Sequence, residues 1–260
     1  MDLEHSLLHV NVVICSLSEH LLLLTLPALC ADATGLENLV NDLSRCYAAC
    51  LRDEKLTDEP LQYADLSELL NELLEAEETE TGRTYWRNQE HSALRHPKLP
   101  FERLPSPEST FALKAVALEL DVNFSAKLET FIRQEQISLQ VFLLACWQLL
   151  LHRFTGESEI TVAIAFDGRT IAGVEEAIGL FTKFIPVTLN FKVTDRFSQI
   201  TKHLQETIEE IGEWQDYFSP SGTTQPFAFE FHTLPPDTYS ANVRFHLLRI
   251  SVHGCLAVFI

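Results

Sequence analysis

The sequence predicts a layered α/β or α+β fold in two lobes. Three observations carry that expectation. Strand-like and helix-like patterns alternate along most of the chain, a proline-rich stretch interrupts it, and a nearly all-apolar helix runs into a strand rich in β-branched residues. With 260 residues, 46% of them hydrophobic and 22% charged, the chain can bury a substantial core.

Leu7–Leu17 and His20–Leu26 are apolar and β-compatible, and Ser18-Glu19 between them reads as a tight turn joining adjacent strands. Pro27 has no N–H to give to a ladder, so the second strand ends there. From Ala33 the period changes. Leu36, Leu39, Val40, Leu43 and Tyr47 recur at helical spacing, and Thr34 followed by Glu37 has the form of a capping box, for a helix reaching about Arg52. Leu66, Leu69, Leu70, Leu73 and Leu74 give a second helix one apolar stripe, with its carboxylates on a solvated face. Gly82 precedes a short helix end at Tyr85-Trp86.

His91–Pro107 holds Pro97, Pro100, Pro105 and Pro107 and reads as a linker, dividing the chain into 1–105 and 106–260. Phe111–Leu120 alternates as a strand. Asn123–Gln136 and Ser138–Phe154 are expected as helices, the second buried because it is apolar all round. Ile160–Phe166 is a strand, Gly168-Arg169 a turn, Glu175–Phe181 a short helix, Phe184–Phe191 a strand and Ser198–Gln215 a helix. Phe227–His232 and Val243–Ile260 close the chain as strands. No internal repeat interrupts this order.

The net charge of −18 repels phosphate backbones and anionic lipid, which argues against nucleic-acid and membrane-surface partners. Leu139–Leu151 is too short an apolar run to span a bilayer. The start, MDLEHSLLH, lacks the basic opening of a secretory signal. Six cysteines show no CxxC pair and no zinc-like spacing; Cys46 and Cys50 lie one helical turn apart and supply only two of the ligands a structural zinc site needs. Together these features point to a soluble protein in a reducing, cytoplasmic setting. No GxSxG, P-loop or dinucleotide fingerprint is present, and no metal or cofactor site is visible in the chain itself.

The most informative stretch is LLLTLPALCADATGL, Leu22 to Leu36. A strand ends at Pro27-Ala28, three residues pass, and Asp32 stands just before a helix. This layout resembles HHxxxDG, the signature of nonribosomal peptide synthetase condensation domains. Pro27 and Ala28 occupy the two histidine positions, and Asp32 is kept. Three further blocks, in the same order, are similar to that family. Leu61–Gln89 matches a YxDYAxW-to-Tyr-Trp stretch at Tyr63, Asp65, Tyr85 and Trp86, with Leu69-Leu70 replacing an aromatic. Ser138–Arg169 resembles its buried helix, TG turn, core strand and closing GR. Ile178-Gly179-Leu180-Phe181 through Val187 resembles IGxF…LP, with Lys183 and Phe184 at positions where Asn and Thr are common.

The resemblance implies a chloramphenicol-acetyltransferase-like two-lobe architecture, incomplete in both lobes, beginning partway through the first and stopping inside the second. The tail Arg244–Ile260 fits the family pattern poorly, for which a truncated or frameshifted gene product is one hypothesis. It also implies a reaction: an amine on one carrier protein attacks a thioester on another, and the second histidine positions or deprotonates the amine. Imidazole suits that task near neutral pH. Ala28 has no lone pair and no proton site, so this base chemistry is absent at its position.

No other HxxxD occurs. His20 would lie roughly 26 Å from Ala28 along an extended strand. Cys30 is closer and would be a nucleophile only with a depressed pKa, for which nothing basic flanks it; an inert thiol is the alternative. His152 lies in the apolar helix as a core or rim residue. By resemblance Asp32 is structural and pairs with Arg169 of the GR element; the residue pattern alone also allows Asp32 simply to cap the following helix.

Phosphopantetheine is implied only through a peptidyl or acyl carrier partner. The expected function is therefore a condensation-like protein of nonribosomal peptide biosynthesis with an impaired active site. Alternatives are a non-catalytic carrier- or partner-binding module, an acyltransferase using another base, or a fragment without independent function. Heterocyclisation enzymes carry aspartate at the first motif position, which here is Pro27.

Overall fold

The computed structural model describes residues 7–55, 61–75, 79–89, 98–102, 114, 116–219, 225–240 and 243–248. These fall into two compact units interleaved along the chain. The first gathers the described residues up to Leu73, Asp167–Thr182, and those from Thr233 onward. The second takes the described residues from Leu74 to Phe166 and from Lys183 to His232. The expected boundary at 105/106 and most of the proline-rich linker lie outside the described residues.

In the first unit, β1 (His9–Ile14) and β2 (His20–Thr25) pair antiparallel, from His9 opposite Thr25 to Ile14 opposite His20. The turn closes through the N–H groups of Cys15 and Ser16, both donating to Glu19 O at 3.0 Å. Helix α1 (Ala33–Leu51) follows. Its cap is Asp32 rather than the expected Thr34, whose hydroxyl instead donates to Asp167 Oδ1 at 3.2 Å. Its buried face also differs from the expected stripe. Ala33, Gly35, Ser44, Ala48 and Ala49 are buried, while Leu43 and Tyr47 are exposed.

Close backbone approaches explain the preference for small residues. A Cβ at Gly35 would stand 3.0 Å from Gly179 O. The hairpin of β6 (Thr238–Ser240) and β7 (Val243–Phe245) sits on α1, with Ser240 Oγ donating to Ser44 O at 2.8 Å. Tyr47 meets Phe245 edge-on at the margin of this contact. On α2 (Tyr63–Glu75), Leu66 is buried against Val174, Ala177 and Phe181, and Leu70 is partly buried there. Leu69 is exposed.

The second unit is built on a three-stranded sheet of order β4-β3-β5: β4 (Lys183–Asn190) antiparallel to β3 (Glu159–Phe166), and β5 (Ala228–Phe229) parallel to it. Alternate residues Ile160, Val162 and Ile164 on β3 and Ile185, Val187 and Leu189 on β4 share one face, opposite one another in register. They form the core with α5 (Leu139–Thr155) and α6 (Phe197–Trp214). Helix α4 (Val122–Glu135) packs beside α5.

Both ends of α5 are chemically marked. Ser138 Oγ accepts from Val141 N at 3.1 Å, and Gly156 ends the helix in the left-handed region at φ 74°. Within the apolar helix, Gln148 is fully buried and donates to Ile160 O and Val187 O, tying α5 to both central strands. Gly82 lies inside α3 (Glu80–Asn88), ahead of Tyr85-Trp86, and is pressed against the Tyr217 ring.

Other expectations are corrected. Residues 116–120 carry no strand, and the rest of the strand expected at Phe111–Leu120 lies largely outside the described residues. Phe227–His232 yields only the two-residue β5. Val243–Ile260 yields β7, and beyond 248 it lies outside the described residues. The helix expected at Glu175–Phe181 is an irregular segment with a turn only at Glu175-Glu176, because its backbone groups serve another purpose described below.

Candidate functional site

β2 ends at Thr25, as expected from a proline two residues on. A turn follows in which Cys30 N donates to Pro27 O at 2.9 Å. Ala28 is exposed at this turn, Leu29 protrudes, and Cys30 is a half-buried free thiol. Two residues later the chain turns inward at Asp32.

Asp32 and Arg169 meet as a buried, bidentate pair. Arg169 Nη2 donates to Asp32 Oδ1 at 2.8 Å and Nη1 to Oδ2 at 3.0 Å, with the two side chains 1% and 4% exposed. Asp32 Oδ1 also accepts from Gly35 N at 2.8 Å, so the residue both caps α1 and holds the arginine. Oδ2 accepts from Phe181 N and Thr182 N, each at 2.9 Å, and from Thr182 Oγ1 at 3.1 Å. The two readings of Asp32, cap and ion pair, describe one residue doing both.

Arg169 is held as firmly. Its Nη1 donates to Asp167 Oδ1 at 2.7 Å, Nη2 reaches Ala177 O at 3.3 Å, and the guanidinium lies over the Phe181 ring. Gly179 O accepts from Asp32 N at 3.1 Å, and Asn38 donates to Glu175 O and Ala177 O. This is why 175–181 is not a helix: its carbonyls and N–H groups are spent on Asp32, Arg169 and Asn38 instead of on one another. Tyr63 adds a hydroxyl hydrogen bond to Leu180 O at 3.0 Å and an edge contact to Phe181.

Burial alone would raise the Asp32 pKa, but Arg169 and the N–H groups of Gly35 and Phe181 outweigh it and hold the carboxyl below its ordinary value. Burial likewise opposes the Arg169 charge, and Asp32 and Asp167 outweigh it, raising its pKa. A carboxyl depressed in the folded state stabilises the fold fully above its unfolded pKa of about 3.9 and loses that contribution as pH falls through the lower folded value. Wild-type melting temperature should therefore drop below about pH 4 by more than that of Asp32→Asn. Parallel pH profiles for the two proteins would contradict this.

Two further candidates are histidines with local contacts of their own. His152 Nδ1 lies 2.6 Å from Glu157 O and its ring stacks on Phe191 within the second unit. His20 opens β2, eight positions before Ala28 and paired with Ile14. Among the described residues no cluster of three or more His, Cys, Asp or Glu could hold a metal ion, and no single helix is long and apolar enough to cross a membrane. Sequence reasoning missed Thr182, Asn38 and the backbone of 177–182 as partners of the pair. The Ile178–Phe181 block was conspicuous in the sequence, but nothing in it says that its N–H groups bind a carboxylate.

The mixed helices and sheets have the chloramphenicol-acetyltransferase-like fold of solved condensation domains. The first condensation domain of the calcium-dependent antibiotic synthetase shares it at a TM-score of 0.74 and 15% identity, over 92% of this chain and 57% of that one. The X-domain in its complex with OxyB from teicoplanin biosynthesis does so at 0.69 and 20%, over 89% and 55%. A linear gramicidin synthase of Brevibacillus parabrevis is 29% identical over 219 residues, which are 83% of this chain and 3% of that protein. The family model for the condensation domain matches residues 1–218, and the chain belongs to that family. It spans a small part of the multidomain synthase that it matches and little more than half of the solved domains.

Proposed function

We propose that this chain is a condensation-family scaffold that does not perform histidine-dependent amide formation and works by binding carrier proteins or other synthetase domains. One observation carries the reading. The turn that would present the base is built and open, its anchor Asp32–Arg169 is fully formed, and the residue at the base position is the exposed Ala28. A methyl group cannot accept a proton or orient an amine.

The X-domain complex with OxyB supports a binding role, because a protein of this fold is there in complex with another protein. The relatives are peptide synthetases, which favours a carrier protein as partner and phosphopantetheine as cargo on that carrier rather than a group resident in this chain. The free thiols of Cys15, Cys30, Cys46, Cys50 and Cys146 suit a cytoplasmic setting.

Binding is tested by passing the protein over immobilised carrier protein, with and without an acylated phosphopantetheine arm. Saturable binding that strengthens with the loaded arm is expected. Indifference to both carrier forms would overturn the reading.

A further inference from the structure

Cys46 and Cys50 lie on the last turns of α1 and play no part in the site above. Ser44, Ala48 and Ala49 are the buried positions of this part of the helix, so the register turns 46 and 50 the other way, and both thiols are free and exposed. Side chains four apart on a helix stack on one face, with Cβ atoms about 5–6 Å apart.

That spacing decides what the pair can do. A disulfide needs Cβ atoms about 3.8 Å apart, so oxidation to a direct S–S bond would require unwinding the helix. One bridging atom with bonds of about 2.3 Å to each sulfur spans the gap without moving the backbone. The absence of a third ligand among the described residues argues against tetrahedral zinc.

We infer that Cys46 and Cys50 form a dithiol site for a soft, thiol-seeking atom with two open positions. Phenylarsine oxide is the probe. Both S–H bonds and the As–O bond break, two As–S bonds form, and the oxygen leaves as water with no change in oxidation state.

Intact-mass analysis of the reduced chain should show one arsenical per molecule, retained in excess monothiol and released by a dithiol. Cys46→Ala and Cys50→Ala should each abolish it, and Cys50→Ser should do the same, while Cys15→Ala and Cys30→Ala should retain it. The exposed positions and the high helix propensity of alanine keep α1 intact, which circular dichroism checks. A wild type that takes up no arsenical, or an adduct that survives loss of either Cys46 or Cys50, would overturn the assignment.

Discussion

Arg169→Ala should destabilise the protein by about 3–5 kcal/mol, the usual cost of stripping one partner from a buried ion pair. The damage lies less in the lost attraction than in what remains. Asp32 accepts hydrogen bonds from Gly35 N, Phe181 N, Thr182 N and Thr182 Oγ1 even without the arginine, so it stays buried and ionised with its countercharge gone. Arg169 also holds Asp167 and the carbonyl of Ala177, so its removal loosens three segments at once. Arg169→Lys should recover only part of the loss, because one ammonium cannot reproduce the bidentate fork. Urea unfolding monitored by tryptophan fluorescence and circular dichroism measures both variants. A loss below about 1 kcal/mol for Arg169→Ala would place the pair among surface-like interactions of little weight.

Gly168→Ala should cost about 2 kcal/mol or more, for two separable reasons. At φ 71° the residue occupies the left-handed region, which costs an L-residue about 1–2 kcal/mol. A Cβ there would also lie 2.1 Å from Phe181 O, and backbone cannot swing aside as a flexible side chain would. Phe181 is itself bound to Asp32 through its N–H, so displacing it strains the ion pair's setting. Gly156→Ala is the control: it has nearly the same φ, 74°, and nothing within 4 Å of the added Cβ. The difference between the two variants isolates the clash. Equal unfolding free energies would show that the loop after β3 yields freely.

The core of the second unit was legible because its signals are local. Ser138 and Gly156 bracket α5, and Ile160, Val162 and Ile164 alternate on β3. The face of α1 was not, since its apolar residues suggested Leu43 and Tyr47 inward, whereas close approach by Gly179 and by the β6–β7 hairpin selects small residues. No local pattern encodes a contact from about two hundred positions away, such as that of Ser240 with Ser44. The same applies at the site. Asp32 and its candidate partner Arg169 were readable from motif resemblance, but the non-helical course of 175–181 comes from hydrogen bonds to residues far back in sequence. Asp32 as cap was equally readable, and the single carboxylate proves able to satisfy the helix, the arginine and Thr182 together.

The retained anchor has a physical logic. Asp32 fixes the start of α1 and gathers 177–182, so losing it would cost folding, whereas Pro27 and Ala28 lie in a turn whose side chains hold little in place. On the proposed reading, a substitution at Ala28 would change chemistry at small structural cost, whereas one at Asp32 would remove structure.

Amide formation is the direct measure of that separation. Wild-type protein is mixed with an acyl-loaded donor carrier and an aminoacyl-loaded acceptor carrier, and the dipeptidyl carrier is quantified by intact mass against the carriers alone. The predicted result is no product above that background, with folding of wild type and Ala28→His equal within about 0.5 kcal/mol because the position is exposed. Product formed by the wild type above background, unchanged by Ala28→His, would show that another group supplies the base and would contradict the scaffold reading.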